Sequence, residues 1–478
     1  MRRLAALPFA LLASAALVVA TRAVVAQAPG QPDWRAVEEE TIRHFQALVR
    51  MDTSDPPGNE KAAADYVRQV MERAGIPTET FALEPNRPNV VARLKGTGRK
   101  KPLLVMGHLD TVNVDPSKWT SHGPFSADRD GGYVYGRGTL DDKDNLTAAM
   151  MTLILLKRSG ATLDRDVILL AEAGEEGTTR VGIEFMVNQH YGAIDAEYCL
   201  AETGGVTREG GRVRYATVQT TEKIPRGIDL IARGPAGHGS VPLRTNAILH
   251  LSRAVTRVAE WKPPIQLNDT TAAYFKQLAA ISPPDVARHY RNVLSLDPAV
   301  SGPADEYLLN EEPRHASMLR SSLSPNIIDA GYRINVIPSE ATATFDVRVL
   351  PDENLDRLLA QVKQVVDDPA VEVRWAKRST RPGGVSRLGT EAYKAIEAAV
   401  TRQYDTVTLP TMSTGATDMA FLRARGMECY GIGPATDVED GPKGFASHSD
   451  QERILESELH RFVRFNWDVV SSLARAAR

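Results

Sequence analysis

Five side chains that can hold a metal ion stand at the ends of short apolar runs or in glycine-bearing loops. His108 closes the run Leu103 to Gly107 and opens His-Leu-Asp-Thr-Val. Asp141 lies in Gly136-Arg137-Gly138-Thr139-Leu140-Asp141-Asp142-Lys143, just before a helical pattern. Glu175 and Glu176 sit between Gly174 and Gly177, beyond the run Val167 to Ala171; Glu202 follows a further run and precedes Gly204 and Gly205; His448 lies in a late Gly/Pro-rich loop. Each has a plainer reading alone: a surface histidine, a helix cap supplied by Asp141 or by Asp142 or Asp144, a solvated pair of glutamates. Together they offer imidazole nitrogen and carboxylate oxygen, the donors that suit two Zn²⁺ ions if one carboxylate bridges. Co²⁺ or Mn²⁺ are substitutes that such donors do not exclude. A two-metal centre polarises a carbonyl and lowers the pKa of a shared water. Glu175, next to Glu176, is then the candidate to take that water's proton, and Asp110 the candidate to orient His108 through its other ring nitrogen.

The elements that must position these residues are short. Apolar runs at Asn89 to Leu94, Leu103 to Gly107, Val167 to Ala171 and Glu197 to Ala201, with a helical segment from Asn145 to Arg158, predict an α/β domain on a largely parallel sheet. Ligands in such sheets gather beyond the carboxyl ends of the strands. The pattern changes near residue 223. Ile228 to Ala232, Ala330 to Val336, Ala341 to Leu350 and Val371 to Trp375 read as strands, with helices over Asn246 to Trp261 and Glu353 to Val366. The last hundred residues return to the first style. The expected organisation is a catalytic domain over 34–222 and 379–478, interrupted by a smaller α+β domain over 223–378.

Arg2 and Arg3 before the apolar run Leu4 to Ala20, then Ala26-Gln27-Ala28, read as a signal peptide over 1–28, with a membrane anchor as the alternative. A periplasmic or secreted protein with no stable membrane span after cleavage is expected. Cleavage removes three arginines and no acid, so the formal net charge falls from −3 to −6. That balance argues against nucleic acid as a partner. The two cysteines, Cys199 and Cys429, sit in apolar segments and are read as buried free thiols rather than a bridge.

With GHLDTV at 107–112, GRGTLDDK at 136–143, GEEG at 174–177, Glu202 and the late His448 in this order, the chain resembles the zinc peptidase family of glutamate carboxypeptidase, acetylornithine deacetylase, succinyl-diaminopimelate desuccinylase, aminoacylase and carboxypeptidase S. Several ordered motifs are more specific than any single one. The resemblance, which runs from about residue 34 to the C-terminus, implies that Asp141 bridges two zincs, that His108 and Glu202 complete one site and Glu176 and His448 the other, and that Glu175 is the general base. It implies a ferredoxin-like inserted lid through which subunits dimerise. His238 of Gly237-His238-Gly239-Ser240 would then support the oxyanion of the partner subunit's reaction. Asn335 of Asn335-Val336-Ile337-Pro338, together with Arg348, would meet the substrate near its carboxylate, a role the guanidinium fork suits. Gly415, in Ser413-Thr414-Gly415-Ala416-Thr417-Asp418, stands where relatives line the substrate pocket, although a plain turn explains it as well. The segment Pro263 to Leu323 departs from compact lids and is similar to the enlarged lid of the carboxypeptidase S branch.

The expected activity is zinc-dependent hydrolysis of a small peptide or N-acyl amino acid, by a carboxypeptidase or deacylase that releases a free amino acid. An aminopeptidase or dipeptidase, an amidase acting on a ureido or xenobiotic compound, and a zinc-binding protein without catalysis are the alternatives.

Overall fold

The computed structural model describes residues 32–377 and 380–476, so the expected leader over 1–28 lies outside the described residues. Among the described residues no helix is long and apolar enough to cross a membrane. The strands Leu103–His108 and Val167–Glu172 are buried at every position, as strands covered on both faces must be. Alternate side chains serve opposite layers. Leu103 and Val105 join the core beneath the helices Lys143–Ser159 and Glu456–Ala474, whereas Leu104 and Met106 pack towards Ile183–Gln189 and Met419–Arg423.

These strands belong to a ten-stranded sheet. Its centre is parallel and runs Val167–Glu172, Leu103–His108, Tyr198–Ala201, Glu428–Gly431. Both flanks contain antiparallel pairs: Pro88–Leu94 beside Val167–Glu172 on one side, Arg212–Glu222 beside Gly205–Glu209 on the other. The sheet is therefore mixed, with the expected parallel character concentrated where the metal-type residues emerge. Cys199 lies opposite Cys429 in adjacent parallel strands, and both are buried free thiols.

A second sheet, of four antiparallel strands, orders Ser322–Ala330, Glu340–Val349, Ile224–Arg233 and Val371–Trp375. Helices Ala247–Glu260 and Leu355–Val366 share one hydrophobic core with it. The chain order β-α-β-β-α-β is that of a ferredoxin-like unit. One expected strand is misplaced: Ala330 to Val336 is mostly a turn, and the strand precedes it. Gly331, at φ 72°, ends that strand in a conformation that favours glycine. The true strand is an exposed edge, so no buried alternation marks it in the sequence.

The long segment before this edge strand forms helices Asp269–Ile281, Pro284–Asn292, Pro298–Glu311 and Pro313–Met318. They do not enlarge the four-stranded unit. Tyr274, Phe275, Leu308 and Met318 share a core with Leu409 and Met412 of Thr408–Ser413, a strand of the large sheet. The insertion is thus a helical buttress seated on the catalytic half.

A buried ionic group braces the loop that carries the two glutamates. Arg87 donates to Glu60 Oε2 at 2.9 Å and to Asp55 Oδ2 at 2.8 Å, and Gly177 lies against the Asp55 carboxylate. All three charged side chains are nearly inaccessible. Removing one partner from such a group strands the others without water. Arg87→Ala is expected to destabilise the protein by about 3–5 kcal/mol, read as a lower midpoint in urea unfolding; an unchanged midpoint would refute the bracing role.

Candidate metal centre

His108 is the last residue of its strand, opposite Glu172. Its Nδ1–H donates to the main-chain oxygen of Asp110 at 3.0 Å, which leaves Nε2 with a lone pair to offer a metal. The Asp110 carboxylate is farther from that nitrogen, at 3.5 Å. Its oxygens accept instead from the main-chain N–H groups of Glu175 at 3.1 Å and Glu176 at 2.9 Å. Asp110 therefore faces His108 Nδ1 with both its carbonyl, the nearer group, and its carboxylate, which also shapes the Gly174–Gly177 turn.

Asp141 immediately precedes Asp142, the residue at the N-cap position of Lys143–Ser159. Asp142 does not cap that helix with its side chain. It accepts from the His108 N–H at 3.1 Å and from Asn145 Nδ2 at 2.7 Å. Helix start and strand end are thereby tied together, and Gly107 allows the approach: a Cβ there would stand 2.8 Å from Leu146 N. Glu452 fixes the other side of the Asp141 loop by accepting from Leu140 N at 2.7 Å and Arg137 Nη1 at 2.6 Å.

The two Asp141 oxygens face different histidines. Oδ1 is 3.0 Å from His108 Nε2, and Oδ2 is 3.0 Å from His448 Nε2. His448 Nε2 is also 3.1 Å from Glu176 Oε1. Two donor triads result, His108–Asp141–Glu202 and Asp141–Glu176–His448, sharing Asp141. Donors that each lie about 2.0–2.2 Å from a common tetrahedral ion are about 3.3 Å from one another, so these spacings suit divalent cations. His448 adopts φ 62°, a conformation uncommon outside glycine that tends to mark functional positions.

The electrostatics ask for cations. Burial, with Glu175 and Asp141 nearby, raises the Glu202 pKa well above its usual value. Burial likewise pushes Asp142 and Glu172 up to about 8 and raises Glu175. The hydrogen bonds that His448 donates to Asp141 and Glu176 carry its pKa up to about 10. Burial opposes charge on His108, but Asp110 and Asp141 hold its pKa well above normal. Without a metal, then, protons are favoured on Glu202, His108 and His448, whereas the hydrogen bonds that Asp141 accepts from the two histidines hold its carboxylate ionised.

Several residues at the centre have no motif to announce them. Arg381, in the segment returning from the four-stranded unit, places Nη1 2.8 Å from Glu175 Oε1 and 3.0 Å from Asp418 Oδ1, and Nη2 donates to the Glu175 carbonyl at 3.0 Å. Its Thr-Arg-Pro-Gly-Gly context reads as an ordinary loop. Thr203, Arg314 and Val438 join Asp141 and Glu202 around a cleft of 540 Å³.

Other expected site residues lie apart. His238 is exposed and hydrogen-bonds Ser240 Oγ at 2.7 Å. The Asn335 carbonyl accepts from Gly239 N. Arg348 Nε donates to Asp346 at 2.8 Å, and Gly415 N donates to Ser413 Oγ at 3.1 Å. None of the four lines the clefts adjoining the donor triads in this single chain.

Because protons must leave His108 and His448 before they can ligate, and burial favours a further proton on Glu202, metal binding is expected to release about two to three protons per filled centre near neutral pH. Affinity should weaken as the pH falls from about 8 to 6. Calorimetric zinc titrations in buffers of different ionisation enthalpy measure this; buffer-independent heats would exclude histidine ligation.

Residues 104–471 match the model of Peptidase family M20/M25/M40. Among curated proteins, the chain is 28% identical over 327 residues to "Probable carboxypeptidase S-like 2" of Dictyostelium discoideum, covering 66% of this chain and 62% of that protein. It is 27% identical over 334 residues to "Probable succinyl-diaminopimelate desuccinylase" of Staphylococcus aureus strain Mu50, covering 69% and 74%. Among solved structures, the M20 family metallo-carboxypeptidase Sso-CP2 from Sulfolobus solfataricus superposes with a TM-score of 0.67 at 18% identity, covering 91% of this chain and 99% of that one. Carrying the family's match across its donor triads and most of its length, the chain belongs to Peptidase family M20/M25/M40.

Proposed function

We propose that the protein is a two-zinc amide hydrolase, a carboxypeptidase or N-acyl-amino-acid hydrolase that releases a free amino acid. The observation that carries this reading is Asp141 shared between two donor triads, with buried Glu175 adjoining and held by Arg381. His108 and Glu202 would hold one ion, Glu176 and His448 the other, and Asp141 both. Bound there, the ions supply a Lewis acid for the scissile carbonyl and a water acidified to near-neutral pKa. Glu175 takes the proton from the attacking water and gives it to the leaving nitrogen. Burial favours its protonated form and Arg381 its ionised form, a balance that suits a group working in both directions. The names of the related carboxypeptidase-like protein and desuccinylase support an amide whose product is an amino acid.

The N-terminal basic and apolar pattern supports export to the periplasm or beyond. The edge strand Ser322–Ala330 supports a homodimer: Ile327 and Ile328 are about three-fifths exposed, and Tyr332 and Ile334 more so. An unpaired apolar edge is a template for a second chain. His238, on the same unit, would then serve the partner's oxyanion.

Zinc-reconstituted protein is expected to cleave N-blocked dipeptides and N-acyl amino acids but not their C-terminal amides. Cleavage of free-amino peptides alone would favour an aminopeptidase, and inactivity on the whole panel a non-peptide amidase. Glu175→Gln should retain metal and lose about 10²–10⁴-fold in kcat; full activity at intact metal content would sink this assignment. Ile327→Lys with Ile328→Asp should shift the light-scattering mass from dimer to monomer, and an unchanged dimer would place the interface elsewhere.

A further inference from the structure

We infer that Arg314, supplied by the helical insertion, is the residue that recognises a carboxylate on the substrate and so sets its class. The inference rests on the amide-hydrolase reading of the same cleft and adds to it the identity of the anion site. Two clefts meet at this side chain. One, of 540 Å³, includes Asp141 and Glu202 of the metal centre; the other, of 310 Å³, lies beneath Tyr215, Tyr274 and Met412. Thr203, Gly204 and Arg314 line both. Arg314 thus stands on the wall of the cleft that includes Asp141 and Glu202 and of the one that adjoins it at Thr203 and Gly204.

The state of this guanidinium separates it from the other arginines nearby. Arg453, in the larger cleft, is paired with Asp440 at 2.6 Å and lies over the rings of Tyr133 and Phe445. Arg348, the expected carboxylate partner, is paired with Asp346. Among the described residues Arg314 makes no ion pair or hydrogen bond, and it is exposed. Its backbone, by contrast, is fixed. His315 is held by the Tyr274 hydroxyl at 2.9 Å and by Glu312. Ala316, Met318 and Leu319 are buried in the core shared with Leu409 and Met412. The neighbouring acid that would neutralise Arg314, Glu312, accepts from Tyr290 and His315 instead.

An unpaired cation on a rigid mount, beside a cleft that leads to the reacting atoms, is preorganised for a carboxylate. It binds without surrendering an existing partner, and its planar fork matches two carboxylate oxygens. The carboxylate can belong to the amino-acid half of the substrate or to a diacid acyl half, and both present the same chemistry.

The test compares N-acetyl-phenylalanine with its C-terminal amide, and N-succinyl-phenylalanine amide with N-acetyl-phenylalanine amide. Wild type, Arg314→Ala, Arg314→Lys and a control, Arg253→Ala, at an exposed position of the helix Ala247–Glu260, are assayed with zinc. Arg314→Ala is expected to raise KM for the carboxylate-bearing member about 10- to 100-fold with kcat within about twofold, and to erase the preference for the acid. Arg314→Lys should restore part of it. The pair that loses its preference identifies which half carries the carboxylate. Preferences unchanged in Arg314→Ala overturn the inference while leaving the hydrolase reading intact. Should wild type cleave none of these amides, that reading fails, and a binding measurement decides Arg314 alone. Zinc-loaded Glu175→Gln protein is treated with phenylglyoxal, and modification of the Arg314 peptide is followed by mass spectrometry. Protection by N-acetyl-phenylalanine or N-succinyl-phenylalanine amide, and not by N-acetyl-phenylalanine amide, supports the site; equal labelling in all three overturns it.

Discussion

The accumulation of negative charge at one end of the parallel strands is the constraint on which the rest of this structure depends. Asp110, Asp142, Glu172, Glu175 and Asp418 are all buried there, and Asp141, Glu176 and Glu202 adjoin them. In a low-dielectric interior such a group is strongly disfavoured unless protons or cations compensate it. The fold answers with a division of labour. Some acids are committed to main-chain N–H groups, as Asp110, Asp142 and Glu452 are; one cluster is held by Arg381; the remainder point at each other across the two donor triads.

The inserted unit is joined to this charge at both of its connections. On the outgoing strand, Glu222 accepts from Thr417 N and Arg423 within the catalytic half. On the return, Arg381 grips Glu175 and Asp418. A movement of the four-stranded unit therefore pulls on a segment whose side chain contacts the proposed base. The helical buttress behaves differently, because its core is continuous with Thr408–Ser413 and holds Arg314 still beside the metal centre. One insertion thus carries both a unit with a core of its own and a part whose core is shared with the catalytic half.

What was legible in the sequence follows from where the signal lies. Candidate ligands such as His108, Glu176 and Glu202 end apolar runs or stand between glycines, so residue type and local pattern single them out together. The strand Ser322–Ala330 was misread because an exposed edge has no buried alternation. Arg381 and Arg314 were missed for another reason. Each belongs to a segment with no local mark of function, and only tertiary contact brings it to the site. The Asp110 carboxylate lies 3.5 Å from His108 Nδ1, but a sequence names adjacent groups without saying that the Asp110 carbonyl is nearer still.

The order of strands also bears on how the molecule is made. Glu428–Gly431 pairs with Tyr198–Ala201 near the middle of the large sheet, and His448 comes later still. More than two hundred residues separate the paired strands, a loop whose closure is entropically slow to find. An elongating chain can complete its four-stranded unit while the large sheet still lacks a central strand. During synthesis the acidic pocket is thus left half-walled until Glu428–Gly431 has emerged, and the second donor triad is completed only when His448 follows.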